Sequence, residues 1–162
     1  MKLSDLRFHK AIYPRGLDKL VFDNITVDQK PDEENIEKII DALKTHGVDH
    51  KITYNSKTKH IIDGTHLWIA LQRIHGPNWT IPDKYLNEIT IDEDLEMFYA
   101  GAYNSHHCKS LSREEIKAVI KSYMDDNGEL KHGMQSKFSE EYNIPLKTIQ
   151  NWVEELRHGI SR

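Results

Sequence analysis

The chain reads as a mixed α/β (α+β) protein followed by an all-helical module, and three observations predict this. Up to about residue 108, short runs rich in β-branched residues alternate with runs of helical periodicity. From residue 109 onward only helical periodicity remains. Between the two kinds of run, Asp63-Gly64 closes an apolar strand and opens a helix, which makes a strand, tight turn, helix unit. At 162 residues, the chain suits a domain over 1–108 joined to a small module over 109–162.

Each element has a local reason. In Lys2 to Lys19, Pro14 and Gly16 bracket Arg15 and discourage a helix, so a short strand or extended arm is expected. Leu20 to Val27 favours a strand. From Pro31 to His46, Ile36, Ile39, Ile40 and Leu43 recur at helical spacing, with acids at the start and Gly47 at the stop. Lys51–Tyr54 and His60–Ile62 flank the polar run NSKTK and predict a hairpin. A helix from Thr65 then carries Trp68, Ala70, Leu71 and Ile74 on its apolar face until Gly76-Pro77. Residues 84–91 alternate as a strand, and Asp92 begins a helix through Tyr103. Ser112 and Glu115 form a capping box for a helix over 112–127, with Ile116, Val119, Ile120, Tyr123 and Met124 inward. A flexible connection is expected at 125–133, and two helices broken at Asn143-Ile144-Pro145 over 134–157.

Charge and composition exclude some functions. No stretch approaches the roughly 20 apolar residues of a membrane span, and the opening lacks a signal-peptide core, so a soluble, cytoplasmic protein is expected. Cys108 is the single cysteine, which rules out an internal disulfide and a multi-thiolate metal site in one chain. The net charge is -4, unlike a strongly cationic nucleic-acid binder. The excess of acid lies in 1–108, with 17 acidic and 13 basic residues, whereas 109–162 carries 9 of each. The C-terminal part can therefore still present a basic face.

The segment Gln135 to Trp152 has helix-turn-helix spacing. Phe138 and Tyr142 face inward from the first helix, Ile144 plugs the turn, and Ile149 and Trp152 face inward from the second. Ser139 supplies the small residue at the crossing, and Asn143 tolerates the positive φ that the turn needs. Lys147, Thr148, Gln150 and Asn151 are left outward on the second helix, and Gln135 and Ser136 open the first. These types suit phosphates and base edges of double-stranded DNA. The alternative is a helical hairpin that packs on a partner, with Glu140, Glu141, Glu154 and Glu155 repelling phosphate. A homodimer is expected with the DNA reading, because one recognition helix buries too little surface for tight binding.

The run IIDGTHLWIALQRI at 61–74 resembles the Asp-Gly-His-Arg type box of the ParB/sulfiredoxin superfamily. LSDLRFHKAIYPRGLDK at 3–19 resembles the opening of ParB-like nuclease-domain proteins, and Asn104-Ser-His-His107-Cys-Lys-Ser-Leu111 resembles their Asn-x-x-His-Gly-x-x-Leu segment. The resemblance covers nearly the whole chain in order. It implies a mixed-sheet domain whose cleft, lined by Arg15, Asp63, Gly64, Thr65, His66, Asn104 and His107, accepts a phosphate or a nucleotide with Mg²⁺. Two positions depart from the pattern: Leu67 stands where the family has an arginine, and Cys108 where it has a glycine.

Three functional classes follow, the third being a protein-interaction adaptor that uses the fold alone. The first is a ParB-like DNA-binding protein of partition, transcriptional control or mobile elements. The second is a phosphate-processing enzyme, a nuclease or nucleotide-dependent kinase or triphosphatase, with Asp63 and His66 as candidate catalytic residues. No metal ligands are assigned. The acid runs Asp32-Glu33-Glu34 and Asp92-Glu93-Asp94 each lie at a helix start, where carboxylates stabilise the helix dipole.

Overall fold

A computed structural model describes residues 1–8, 33–105 and 111–160. The class is mixed α/β: six α-helices and one three-stranded mixed sheet among the described residues. The arm around Arg15, the strand expected at Leu20–Val27 and the segment around His107 and Cys108 lie outside the described residues. The chain divides into two units, the first containing described residues up to Ala100 and the second those from Gly101 onward.

In the first unit, α1 (Glu33–Thr45) is followed by β1 (Ile52–Asn55), β2 (Ile61–Asp63), α2 (Thr65–His75) and β3 (Leu86–Ile89). The hairpin forms where the sequence places it. β1 is central, antiparallel to β2 and parallel to β3, with Ile52 opposite Leu86 and Asn55 opposite Ile89. Being central, β1 is buried along its whole length. The β1–β2 register shifts between Thr53 and Tyr54, so Ile62 is an extra residue on β2. The N-terminal residues contribute a 3-10 turn, Leu3–Asp5, rather than a full strand, with isolated bridges from Lys2 to Thr80 and Arg7 to His60.

The core of this unit gathers Leu3, Leu6, Ile52, Tyr54, Ile61, Leu67, Leu71, Ile81 and Tyr85, with Ile39, Leu43 and Trp68 packed against it. On α2 the inward face therefore runs through Leu67, Ala70 and Leu71, while Trp68 and Ile74 flank it. Trp68 is oriented by its indole N–H, which donates to the Leu3 carbonyl at 2.9 Å.

A 3-10 turn at Glu93–Leu95 leads directly into α3 (Glu96–Ser105). Glu96, the first residue of α3, is 1% exposed. Its Oε2 accepts hydrogen bonds from Thr58 Oγ1 at 2.7 Å and Asn55 Nδ2 at 3.1 Å, and its Oε1 lies 2.9 Å from His60 Nδ1. Asn55 in turn holds the chain leaving β3, through Ile91 N and the Ile91 carbonyl. One buried carboxyl group thus joins the end of β1, the hairpin turn up to the residue before β2, and the start of α3.

The second unit holds α4 (Arg113–Ser122), α5 (Met134–Tyr142) and α6 (Leu146–Ile160). The Ser112–Glu115 capping box forms reciprocally, at 3.1 and 3.0 Å. The helix stops at Ser122, short of the expected residue 127, because Met124 leaves it to bridge Leu130. The connection is closed rather than loose: Asp125 Oδ1 accepts the amides of Asn127 and Glu129, and the Asp125 amide donates to the Glu129 carbonyl. Buried residues from all three helices make the core, Ile116, Val119 and Ile120 with Phe138, Tyr142, Ile149, Val153 and Leu156.

Removing the buried acceptor should expose the weakness of the first unit. Glu96→Ala strands three donors and is expected to cost about 3 kcal/mol in urea denaturation, with Glu96→Gln in between because it keeps one acceptor oxygen. Equal stability of wild type and Glu96→Ala would show that the carboxylate is not the clamp.

Candidate functional site

Three places carry chemistry, and the first is the turn between β2 and α2. Gly64 is the N-cap of α2 with φ 90 and ψ 23. A Cβ there would also lie 2.7 Å from the Lys51 carbonyl oxygen and 2.9 Å from Ile52 Cα. The glycine is therefore demanded by its left-handed backbone and by close packing on β1. Asp63 ends β2 opposite Thr53, Thr65 is buried at the start of α2, and Asp63 and His66 are partly exposed. Consecutive amides at this helix start point toward one region, the arrangement that accepts anions. Leu67 sits in the core at 2% exposure. Arg15 and His107 are outside the described residues, and Asn104 lies near the end of α3 in the second unit, apart from Asp63–His66 in sequence and unit.

The second place is the pair α5–α6. Asn143 takes the left-handed conformation, φ 54 and ψ 47, as its position in the sequence predicts. Ser139 clasps the turn from both sides: its Oγ donates to the Ile144 carbonyl at 2.6 Å, and its own carbonyl accepts the Ile144 amide at 3.1 Å. The inward face of α6 differs from the expected one. Ile149, Val153 and Leu156 are buried, spaced by four and three residues, whereas Trp152 is only half-buried at the edge of that stripe. On the other side Lys147, Gln150 and Asn151 are exposed and Thr148 is half-buried. Gln135 is half-buried and Ser136 exposed at the start of α5.

The acids of α6 are paired within the unit. Glu154 meets Arg157 at 2.8 Å and His158 at 3.3 Å, and Glu155 Oε2 lies 2.7 Å from Lys117 Nζ on α4. The Lys117 hydrogen bond and charge hold the Glu155 carboxyl below its ordinary range. Lys147, by contrast, belongs to no ion pair among the described residues. Lys147 is thus the one charged side chain in the first two turns of α6, and it stands outside the ion pairs. Behind this face, burial and the neighbouring Tyr123 push the Tyr142 phenol well up, and Tyr142 packs so closely on Gly101 that a Cβ there would meet its hydroxyl.

The third place is one that the sequence did not single out. His60, Glu93 and Glu96 bring ligand-type atoms within 4.8 Å of one another. His60 and Glu96 are 36 residues apart and carry no motif, so only the fold joins them. Glu96 Oε2 already accepts hydrogen bonds from Asn55 and Thr58, and Oε1 is within hydrogen-bond distance of His60 Nδ1. This accounts for the buried carboxylate without an ion.

No family model, curated protein or solved structure matches this chain. The chemistry above is therefore weighed on its geometry.

Two outcomes are expected. Gly64→Ala should lose about 2 kcal/mol or more of unfolding free energy by urea titration, from backbone strain and the clash with β1. A neutral effect would mean that the turn relaxes. For Glu155, a folded-state pKa below the unfolded value stabilises above the ordinary carboxylate range, and this is lost as pH falls through the folded value. Glu155→Gln should accordingly melt slightly below the wild type at pH 7, and the two melting curves should converge on acidification. A gap constant with pH would remove the ion pair as its cause.

Proposed function

We propose that this chain binds double-stranded DNA through α5 and α6, as a ParB-like homodimeric protein of partition, transcription or mobile-element control. A single observation carries the reading. The Ser139–Asn143–Ile144 clasp fixes two short helices so that Lys147, Gln150 and Asn151 share an exposed face while the acids farther along α6 are neutralised internally. A second helix that offers its N-terminal residues outward is the element that enters a major groove, and the start of the first helix, Gln135 and Ser136, meets the backbone beside it. Lysine supplies phosphate attraction, and the two amides can read base edges.

The turn at Asp63–His66 suits a phosphate, taken from the DNA backbone or from a nucleotide. For a nucleotide with Mg²⁺ the fit is incomplete. The superfamily's bidentate arginine has no counterpart at Leu67, which is buried, and Gly64 is already explained by the packing of β1. The same absence weighs against the phosphate-processing alternative with Asp63 and His66 as catalytic residues.

Fluorescence anisotropy of a labelled random duplex, titrated with the full chain at several salt concentrations, tests the proposal. Affinity should fall steeply with salt, and Lys147→Glu with Gln150→Ala should weaken binding about tenfold or more. Absence of binding at about 50 mM salt, or equal affinity of the double variant, would overturn it.

A further inference from the structure

Resting on that reading, we propose that Leu146 contacts the C5-methyl group of a thymine, which with Gln150 makes this helix a reader of A·T base pairs. Leu146 is the first residue of α6, and it is 41% exposed, the one exposed large hydrophobic among the described residues. It needs no place in the core, because Ile149, Val153 and Leu156 already fill the inward stripe of α6.

Helical geometry sets its neighbours. Residues four apart stand one above the other on the same face, about 6 Å along the axis. Leu146 and Gln150 therefore form one exposed row, and Lys147 and Asn151 form the next. In the first turns of a helix lying in a major groove, such rows face base edges. The methyl of thymine is the apolar group exposed on that floor, and a glutamine amide matches the N6 and N7 pattern of adenine. A leucine beside a glutamine thus matches an A·T pair, or two adjacent ones: the leucine packs on the methyl that thymine alone carries, and the glutamine amide pairs with adenine N6 and N7.

Lys147 supplies charge beside this row, so attraction to phosphate and readout of the methyl are separable. Loss of Leu146 should leave the sequence-independent attraction intact. An alternative occupant, an apolar contact from a protein partner, would show no dependence on the thymine methyl.

The test starts by selecting duplexes from a random-sequence library with the full-length wild-type chain. Anisotropy then compares the selected duplex with the same duplex carrying deoxyuridine in place of each thymine in turn, which removes only the methyl. The wild type should lose about fourfold in affinity at one thymine per half-site, the factor expected for burying one methyl group. Leu146→Ala should bind the thymine and deoxyuridine forms equally, with an unchanged melting temperature. An equal loss in wild type and Leu146→Ala, or selected sites without a fixed A·T pair, would overturn this inference while leaving duplex binding in place. Failure of any duplex to bind at low salt would instead overturn the DNA reading and this inference with it.

Discussion

A buried carboxylate has to be satisfied or it is expelled, and the first unit is organised around that constraint. Glu96 is surrounded by Asn55 at the end of β1, Thr58 in the hairpin turn and His60 just before β2. Burying a carboxyl group costs several kcal/mol unless partners replace its water, so these bonds tie the hairpin to the start of α3. Asn55 extends the constraint to the chain beyond β3 through Ile91. The short strands, of three and four residues, would be marginal on their own. Anchored to the start of α3 they hold the Gly64 turn against β1, and that turn in turn aims the first residues of α2.

The second unit relies on a different device. Besides the apolar core shared by its three helices, the turn between α5 and α6 is held by side-chain and backbone bonds of Ser139. Asn143 tolerates the left-handed backbone more readily than most non-glycine residues. With Phe138 between Tyr123 and Tyr142, at ring separations of 6.2 and 5.2 Å, the aromatic core sets the depth of the pair. The outcome is a packed helix pair that leaves Lys147, Gln150 and Asn151 exposed on one polar face.

Much of this was legible beforehand, for local reasons. The hairpin around NSKTK, the capping box at Ser112 and the left-handed Asn143 depend on neighbours in sequence, and all three formed where expected. The helix ending at Ser122 was not legible. Met124 and Leu130 pair across the turn through Asp125, a tertiary alternative that propensity does not register. Trp152 looked like a core residue by type, yet Val153 took the inward position because the stripe follows the angle of the helix rather than the size of the side chain.

From the sequence alone came the mixed α/β class, the hairpin and capping box, and Lys147, Gln150 and Asn151 left outward on α6, because periodicity, capping and turn chemistry act over a few neighbouring positions. Only the tertiary structure decided that Glu96 and His60 meet, that Leu67 is a core residue of α2, that Lys117 neutralises Glu155 and that Leu146 is left on the surface. Each of these turns on which distant side chains share a low-dielectric interior or a water-facing edge, and that is set by packing across the chain, which no local pattern encodes.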